Sequence, residues 1–385
     1  MRGHIFYQRR PQYFLAFVFI LVNFSDSVAM QELTDFSNIE GWAADRHGQA
    51  FATFRRGCAA VVRGGRSSSS AAMKYVCAHA IDLPHDLSDY DARLFFETNF
   101  TAQNIAPFPV LSGLFTGYYE PDIRASRTRS GKYAAAILGP PSDLISTHGL
   151  QVTQLLKGAT HALRRNGKLV VAPTRAEINN GALAGDAPVI AWAADPIDVF
   201  FLHVQGSGRL QFEDGSSERI TYAGKNGHPY LSIGKLLVDR GDMAVEQVSM
   251  DSLRRWLAAD LERATELMEQ NRSYIFFCTI DEKIPNLGPV GQLQVQLTPQ
   301  RSLAVDLAHF APNTPIWIET KLPPTSQNSE VEFRQLMVAQ DTGSAIKGLV
   351  RGDIFFGSGG GAGAIAGKMR APGRITVLMP QCQDC

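Results

Sequence analysis

The sequence predicts a mainly β fold with a helical N-terminal region. Residues 30–110 mix apolar and charged residues without strict alternation, which is typical of helices joined by polar linkers. Residues 121–230 contain short apolar runs separated by Gly, Pro, Asn and Asp, which is the pattern of antiparallel strands. Further apolar runs of strand length follow Gly288. The chain therefore reads as a helical segment followed by two β-rich parts.

Length and composition exclude some classes of protein. The 385 residues are enough for two domains, and 45% apolar with 19% charged residues is ordinary for a globular chain. Lysine plus arginine equals aspartate plus glutamate at 37 each, so the net charge is zero. Because a nucleic-acid-binding protein normally carries a basic excess, we expect no nucleic-acid partner.

The N-terminus has the pattern of a cleaved secretory signal covering residues 1–29. Its apolar run of nine residues is shorter than the roughly 20 that cross a bilayer as a helix. No cysteine lies beside the predicted cleavage site, so we expect a periplasmic protein without a lipid anchor, with outer-membrane association left open. The parts of this signal are three arginines, the apolar run and a trio of small residues: Arg2, Arg9 and Arg10, then 14–22, then Ser27-Val28-Ala29.

Five cysteines in an exported protein suggest at least one disulfide. Cys58 and Cys77 flank a Gly/Ser-rich stretch and could pair across it. Cys382 and Cys385 end the chain and are expected to form a small loop or a tail. Cys278 follows an apolar run, which predicts a buried and unreactive thiol.

Several local elements can be predicted from turn and capping residues. Residues 199–205 and 209–213 predict a hairpin-like pair of strands around a glycine-flanked serine. Ser232 predicts the start of a short helix, and Ser249 predicts the start of a longer one with an apolar face. Residues 292–297 alternate in polarity and predict a strand.

Two aspartates twelve residues apart, Asp341 and Asp353, occupy a segment that reads as strand, glycine turn, strand. Both could simply be turn or cap residues, which are common beside glycine in β proteins. Asp353, however, directly precedes the apolar run 354–356, and desolvation raises the pKa of a carboxyl toward the value that a general acid needs. The sequence Asp341-Thr342-Gly343 resembles an aspartic protease motif, but no second copy occurs to complete the required pair.

Other motifs lack the context that their chemistry requires. The segment 361–366 loosely matches a dinucleotide fingerprint, but the chain ends before the second strand and acidic residue that this fold needs. The segment 205–208 lacks the first glycine of a nucleophile elbow. The nine histidines show no pair spaced for metal binding, so neither a metal nor another cofactor is predicted.

Four ordered segments carry a family resemblance. They are Leu114-Phe-Thr-Gly-Tyr-Tyr-Glu-Pro121, Phe200-Phe-Leu-His-Val-Gln-Gly-Ser-Gly208, Tyr222-Ala-Gly-Lys-Asn-Gly227 and 337–357. Together they resemble the membrane-bound lytic murein transglycosylase A family, with its insert domain and its "3D" (three-aspartate) domain. The resemblance implies a double-psi β-barrel with an inserted second β-rich domain and a groove between them for the glycan strand of peptidoglycan. After the signal peptide at 1–29, we expect the helical part with the first barrel segment at 30–120, the insert at 121–287 and the rest of the barrel at 288–385.

The resemblance also implies roles for individual residues. Asp353 matches the catalytic aspartate of the family, and Asp341 is left for a structural or orienting role in the substrate site. Aromatic faces stack on sugar rings, and amide and hydroxyl groups bond sugar hydroxyls, so the matching groove residues suit a glycan. These predicted substrate-binding residues are Thr116, Tyr118, Tyr119, Gln205, Ser207, Lys225 and Asn226.

The activity implied is cleavage of the MurNAc–GlcNAc β-1,4 bond without water, with Asp353 as the single acid and base and a 1,6-anhydromuramic product. Peptidoglycan strands are the expected partner, and other murein synthases or hydrolases are further candidates. Two alternatives stay open: a barwin-like glycoside hydrolase that uses Asp341 and Asp353 as a pair, and a non-catalytic, expansin-like module that binds the cell wall.

Overall fold

The computed structural model describes residues 30–64, 69–106, 113–281, 284, 286–324 and 329–381. The predicted signal peptide and the cysteines at 382 and 385 lie outside the described residues. None of the helices within these ranges has the length and apolar character needed to cross a membrane. The first elements are β1 (Met30–Thr34), α1 (His47–Arg63), α2 (Ala71–Asp82), α3 (Asp89–Asn99), β2 (Phe100–Ala106) and β3 (Gly113–Glu120).

The helical N-terminal region packs as one apolar layer against the barrel. The hydroxyl oxygens of Ser70 and Ser88 accept backbone N–H groups at the starts of α2 and α3, which explains why these helices begin there. Helix α1 buries aromatic side chains against Trp317 of the barrel. A disulfide between Cys58 and Cys77 links α1 to α2, as the spacing of these cysteines suggested.

The middle of the chain forms a second, sheet-rich unit. Its elements are β4 (Asp122–Ser126), β5 (Ala135–Leu138), β6 (Leu144–Ser146), β7 (His161–Arg165), β8 (Lys168–Val170), α4 (Arg175–Asn179), β9 (Val189–Ala193), α5 (Pro196–Gln205), β10 (Ser207–Phe212), β11 (Ser217–Lys225), α6 (Ile233–Asp239), α7 (Met250–Ala259), α8 (Leu261–Gln270) and β12 (Ile275–Ile280). A six-stranded sheet has the order β12-β11-β10-β4-β9-β5, and a three-stranded sheet has the order β6-β7-β8.

The last part of the chain closes a barrel with β3. Its elements are β13 (Ser302–Val305), β14 (Pro315–Leu322), β15 (Val331–Asp341), β16 (Arg351–Ser358), α9 (Gly359–Ala366) and β17 (Arg370–Pro380). Six strands pair in the closed order β3-β16-β13-β15-β14-β17 and back to β3, and β2 and β1 extend from β17. A core of Phe115, Ile316, Ile354 and Val377 lies among these strands. The fold of the described residues is thus mixed and sheet-rich, with fewer helices than strands.

The prediction of a strand at 199–205 was wrong, because this segment belongs to helix α5. The Asp195 side chain accepts the N–H of Ile197, and Pro196 occupies the first helical turn. Gly206 ends the helix with a φ of 79°, in the left-handed region. These capping residues outweigh the strand propensity of the run of valine and phenylalanine that they enclose.

Three smaller expectations also need correction. Residues 292–297 form turns rather than a strand, with Gln294 at a φ of 61°. The long helix predicted after Ser249 is two helices, because Asp260 ends α7 and its side chain caps α8. Cys278 is exposed rather than buried, because β12 is the edge strand of its sheet.

Candidate active site

Both aspartates lie on the barrel, on either side of one short strand. Asp353 of β16 pairs in register with Thr116 of β3 and with Ala304 of β13. Asp341, at the end of β15, pairs with Ala304 from the other side. Residues in register on adjacent strands share a face, and two strand spacings place the two aspartate backbones about 10 Å apart. The fold therefore brings two carboxyl side chains to one face, over the small side chain of Ala304.

A chain of hydrogen bonds holds one oxygen of Asp353. The Thr116 hydroxyl donates to Asp353 Oδ1 at 2.5 Å, and Arg351 Nη2 donates to Thr116 Oγ1 at 2.8 Å. Because a guanidinium can only donate, the Thr116 hydroxyl must direct its own hydrogen to Asp353. Oδ2 is then the oxygen of Asp353 that can hold an acidic proton.

The environment of Asp353 shifts its affinity for a proton. Burial raises the pKa of the Asp353 carboxyl, while the charge of Arg351 and the Thr116 hydrogen bond lower it, and the net result is a raised pKa. A carboxyl with a raised pKa keeps more of its acid form near neutral pH. This is the property that the sequence predicted for Asp353.

Asp341 is bonded through both of its oxygens. The Tyr118 hydroxyl donates to Oδ2 at 2.9 Å, and the backbone N–H of Gln292 donates to Oδ1 at 3.0 Å. Burial and the charge of Asp353 raise the pKa of Asp341, these hydrogen bonds lower it, and the net result is a raised pKa, as for Asp353. Burial raises the pKa of Tyr118 well above its usual value, so its hydroxyl remains a donor. Asp341 thereby fixes the position of the Tyr118 ring.

Gln205 and Ser207, two of the predicted substrate-binding residues, lie beside β3. The backbone N–H of Tyr119 donates to Gln205 Oε1 at 3.0 Å, which ties the end of α5 to the barrel strand. Ser207 begins β10 and is buried. Gly117, between Thr116 and Tyr118, has no room for a side chain, because an added Cβ would lie 2.5 Å from the Phe356 ring.

Lys225 and Asn226 have different surroundings although they are adjacent. Lys225 Nζ donates to Ser344 Oγ at 3.2 Å, so β11 of the second unit contacts the loop between Asp341 and Asp353. Asn226 is only 1% exposed; its Nδ2 donates to two backbone carbonyl oxygens and its Oδ1 accepts the N–H of Tyr274. These contacts favour a structural role for Asn226 rather than the sugar contact that the sequence predicted.

Sequence reasoning missed a buried ion pair that joins the barrel to the second sheet. Arg219 Nε of β11 lies 2.8 Å from Glu120 Oε1 of β3, and the side chains are 5% and 0% exposed. The Ser358 hydroxyl of β16 donates to the other oxygen of Glu120 at 2.6 Å. Burial raises the pKa of Glu120 despite these partners. The only sequence signal was that Glu120 ends the strand that carries Thr116 and Tyr118.

Arg351 was missed as well, although it lies two positions before Asp353 and so on the same face of β16.

An acidic site can also hold a metal ion if enough ligand side chains are grouped together. Among the residues that the structure describes, no three His, Cys, Asp or Glu side chains are grouped so that they could hold a metal ion. The described site offers two carboxyl groups that can exchange protons, beside hydroxyl and guanidinium donors.

The fold and the site define the class of this protein as a barrel protein with an insert. Its closed six-stranded barrel carries two aspartates on one face and is joined to an inserted sheet unit. Two family models match the chain in the same arrangement. The model described as the MltA specific insert domain matches residues 114–278, and the 3D domain matches residues 301–379. The chain belongs to the membrane-bound lytic murein transglycosylase A family.

Similar proteins come from several bacteria. Membrane-bound lytic murein transglycosylase A of Escherichia coli K12 is 39% identical over 269 residues, which are 69% of this chain and 65% of that protein. The Vibrio cholerae protein of the same name is 33% identical over 269 residues, with the same coverage of 69% and 65%. The chain thus spans just under two-thirds of the length of these curated relatives.

Solved structures match over more of the chain. A membrane-bound lytic murein transglycosylase from Agrobacterium tumefaciens is 33% identical with a TM-score of 0.82, covering 91% of this chain and 97% of that one. The E. coli MltA structure with bound chitohexaose is 28% identical with a TM-score of 0.64, covering 94% of each chain.

Proposed function

We propose that this chain is a lytic murein transglycosylase, which cleaves the MurNAc–GlcNAc β-1,4 bond of peptidoglycan and leaves a 1,6-anhydromuramic end. The observation that carries this proposal is the asymmetry of the two aspartates. Asp353 has one oxygen held by Thr116 and the other available for a proton, whereas both oxygens of Asp341 accept hydrogen bonds. Membership of the family supports the same reaction.

In the proposed mechanism, Asp353 acts first as an acid and then as a base. Its protonated carboxyl gives the proton to the departing glycosidic oxygen as the bond to C1 breaks. The resulting carboxylate takes the proton of the muramic C6 hydroxyl, whose oxygen forms the new bond to C1. The proton lost by Asp353 is thereby regained, and no water is consumed. Because the internal hydroxyl is already held near C1, no second carboxylate is needed to activate a nucleophile.

The role that we propose for Asp341 is to orient Tyr118. A barwin-like hydrolase that uses both aspartates remains the second candidate, because Asp341 and Asp353 flank Ala304 on one face. In hydrolases of the usual kind, the second carboxyl must activate water or attack C1 itself. The two hydrogen bonds that Asp341 accepts weigh against that use, since each one stabilises the carboxylate in its present orientation.

We place the glycan strand in the groove between the barrel and the insert. The Lys225–Ser344 contact spans from one unit to the other beside the aspartates, and Tyr119 and Gln205 join the units at β3. The E. coli relative was crystallised with bound chitohexaose, which supports a glycan as the ligand. The substrate contacts that we propose are Thr116, Tyr118, Tyr119, Gln205, Ser207 and Lys225.

We further propose that the barrel is of the double-psi type and that the insert covers 121–287, between barrel segments at 30–120 and 288–385. Two parallel strand pairs within the closed ring, β13 with β15 and β16 with β3, support this assignment. The other pairs of the ring are antiparallel. The finer topology matters for function because it sets Asp341 and Asp353 on either side of β13.

Incubation with purified murein, followed by mass analysis of the soluble fragments, distinguishes the candidate functions. Anhydromuramic products support the transglycosylase. Fragments with reducing ends indicate the hydrolase. Polymer that is bound but not cut indicates a wall-binding module of the expansin kind.

The pH dependence of cleavage is expected to change when Arg351 is replaced by methionine. The guanidinium lowers the pKa of Asp353, so its removal raises that pKa and keeps the acid form to higher pH. The alkaline limb of the pH–rate profile should therefore move to higher pH in Arg351→Met. Arg351→Lys keeps the charge and serves as the control, with a smaller shift. A limb that stays in place or moves to lower pH in Arg351→Met contradicts the role of Asp353 as the acid.

We also propose export to the periplasm with removal of residues 1–29. The pattern of arginines, apolar run and small residues at 27–29 supports cleavage before Met30. After expression of the whole chain in a Gram-negative host, N-terminal sequencing of the periplasmic protein should begin near Met30. Recovery mainly in a salt-resistant membrane fraction, with residues 1–29 still attached, contradicts this proposal.

A further inference from the structure

The insert contains a cavity that is separate from the aspartate site. Its volume is about 640 Å³, within the range of small-molecule binding sites, and none of the predicted site residues lines it. The wall is mostly aliphatic and aromatic. Its large apolar side chains include Leu138, Trp192, Phe200, Met268 and Tyr274.

A buried cation lines this apolar cavity. Arg175 is 4% exposed, and its side chain donates to the carbonyl oxygens of Asn271 and Ser273 and to His203 Nδ1. All three acceptors are uncharged, and no carboxylate of the described residues forms an ion pair with Arg175. Burial lowers the pKa of Arg175 to about 10, so it stays charged at neutral pH. The charge of Glu269 raises that pKa, but Glu269 forms no ion pair with Arg175. An apolar site with an arginine that no carboxylate contacts directly favours an anionic ligand.

His203 adds a hydrogen-bond donor at the same place. Because arginine only donates, His203 Nδ1 must be an acceptor, and the proton of the neutral ring is then on Nε2. Burial and the charge of Arg175 lower the pKa of His203 well below its usual value, which keeps the ring neutral. His203 is 6% exposed, and its Nε2 has no hydrogen-bond partner among the described residues. A buried N–H without an acceptor is unfavourable unless a ligand supplies one.

The remaining charges in the wall limit the charge of the ligand. Arg129 lies 5.3 Å from the centre of the Trp192 ring, at the exposed side of the cavity. Glu269 is the acid of the wall, and it accepts a hydrogen bond from Asn179 at 3.0 Å. Two arginines and one glutamate leave a single positive charge in excess. One negative charge on an apolar body is the matching chemistry.

We propose that this cavity binds a small monocarboxylic acid with an apolar body. The carboxylate accepts the His203 Nε2 hydrogen, with the imidazole ring between it and the Arg175 guanidinium, and the body packs against Trp192 and Phe200. This site is independent of the glycan-cleaving site and of the function proposed for it.

Calorimetric titration of the mature protein with matched acids and amides tests the proposal. The probes are N-acetylated alanine, leucine and phenylalanine and their primary amides, which differ from the acids in charge but hardly in size. At least one acid is expected to bind, and its amide to bind at least about tenfold more weakly, because the amide brings no negative charge to a cavity with one positive charge in excess. Equal binding of acids and amides, or no binding of any acid, overturns the proposal.

Two variants locate the binding. Ala136→Phe fills the cavity without removing a hydrogen bond, so acid binding should be lost while the melting temperature and murein cleavage stay as in the parent protein. Arg175→Gln keeps donors for the carbonyl oxygens but removes the charge, so the preference for acid over amide should fall at least about tenfold. Undiminished acid binding by folded Ala136→Phe places the site elsewhere and refutes the assignment, whether or not Arg175→Gln folds.

Discussion

Asp353→Asn is expected to lower the rate of murein cleavage by about 10³-fold or more, while folding and murein binding stay intact. General acid–base catalysis contributes about 10²–10⁴-fold to enzyme rates, and here one group serves as both the acid and the base. The amide is nearly the same size as the carboxyl and can still accept the Thr116 hydrogen bond through its oxygen. It cannot give up a proton and take one back. The rate of release of soluble muropeptides measures the effect.

Asp341→Asn is the matched control for Asp353→Asn, because it makes the same chemical change on the other side of Ala304. We expect a smaller loss of cleavage, since the amide oxygen can still accept the Tyr118 hydroxyl, although the amide nitrogen cannot accept the Gln292 N–H. Murein co-sedimentation should be similar for both variants, and a lower melting temperature of Asp341→Asn reports the lost Gln292 hydrogen bond. Substantial turnover by a well-folded Asp353→Asn protein removes Asp353 from the mechanism, and equal losses for both variants favour the hydrolase.

Arg219→Met is expected to lower the free energy of unfolding by about 3–5 kcal/mol at neutral pH, because it leaves the carboxylate of Glu120 buried without its cation. The pair joins the barrel to the insert, so the loss should also loosen the two units relative to each other. Equilibrium unfolding in denaturant, followed by circular dichroism, measures the change.

Two comparisons make the Arg219→Met result specific. Arg209→Met breaks a partly exposed pair with Asp122 and is expected to cost less than about 1 kcal/mol. Adding Glu120→Gln to Arg219→Met should restore much of the stability, because the uncompensated charge is then gone. Equal losses for Arg209→Met and Arg219→Met contradict the account of the buried pair.

The parts of the fold that were predictable from sequence are those with strong local signals. Ser232 starts helix α6 through a side-chain cap, and the Cys58–Cys77 pairing follows from two cysteines that flank one short linker. The apolar run after Asp353 continues a buried strand whose environment raises the pKa of that residue, as the sequence indicated. In each instance the signal lies within one short stretch of the sequence, of at most about twenty residues.

What the sequence did not reveal depends on long-range pairing. Thr116 and Asp353 are 237 positions apart, and only the parallel pairing of β3 with β16 brings them together. The same pairing makes Arg351 a partner of Thr116, which no local pattern indicates. Helix α5 was mistaken for a strand because its apolar residues are buried on more than one side, so that helical periodicity is lost.

Digestion of murein in water labelled with heavy oxygen tests the central claim, that cleavage by this chain consumes no water. In the proposed mechanism the oxygen that joins C1 comes from the muramic C6 hydroxyl, so the product should carry no label at C1. A hydrolase must place a solvent oxygen there, whichever aspartate activates it. Mass spectra of unlabelled anhydromuramic fragments are the expected result, and heavy oxygen at the muramic C1 contradicts the account.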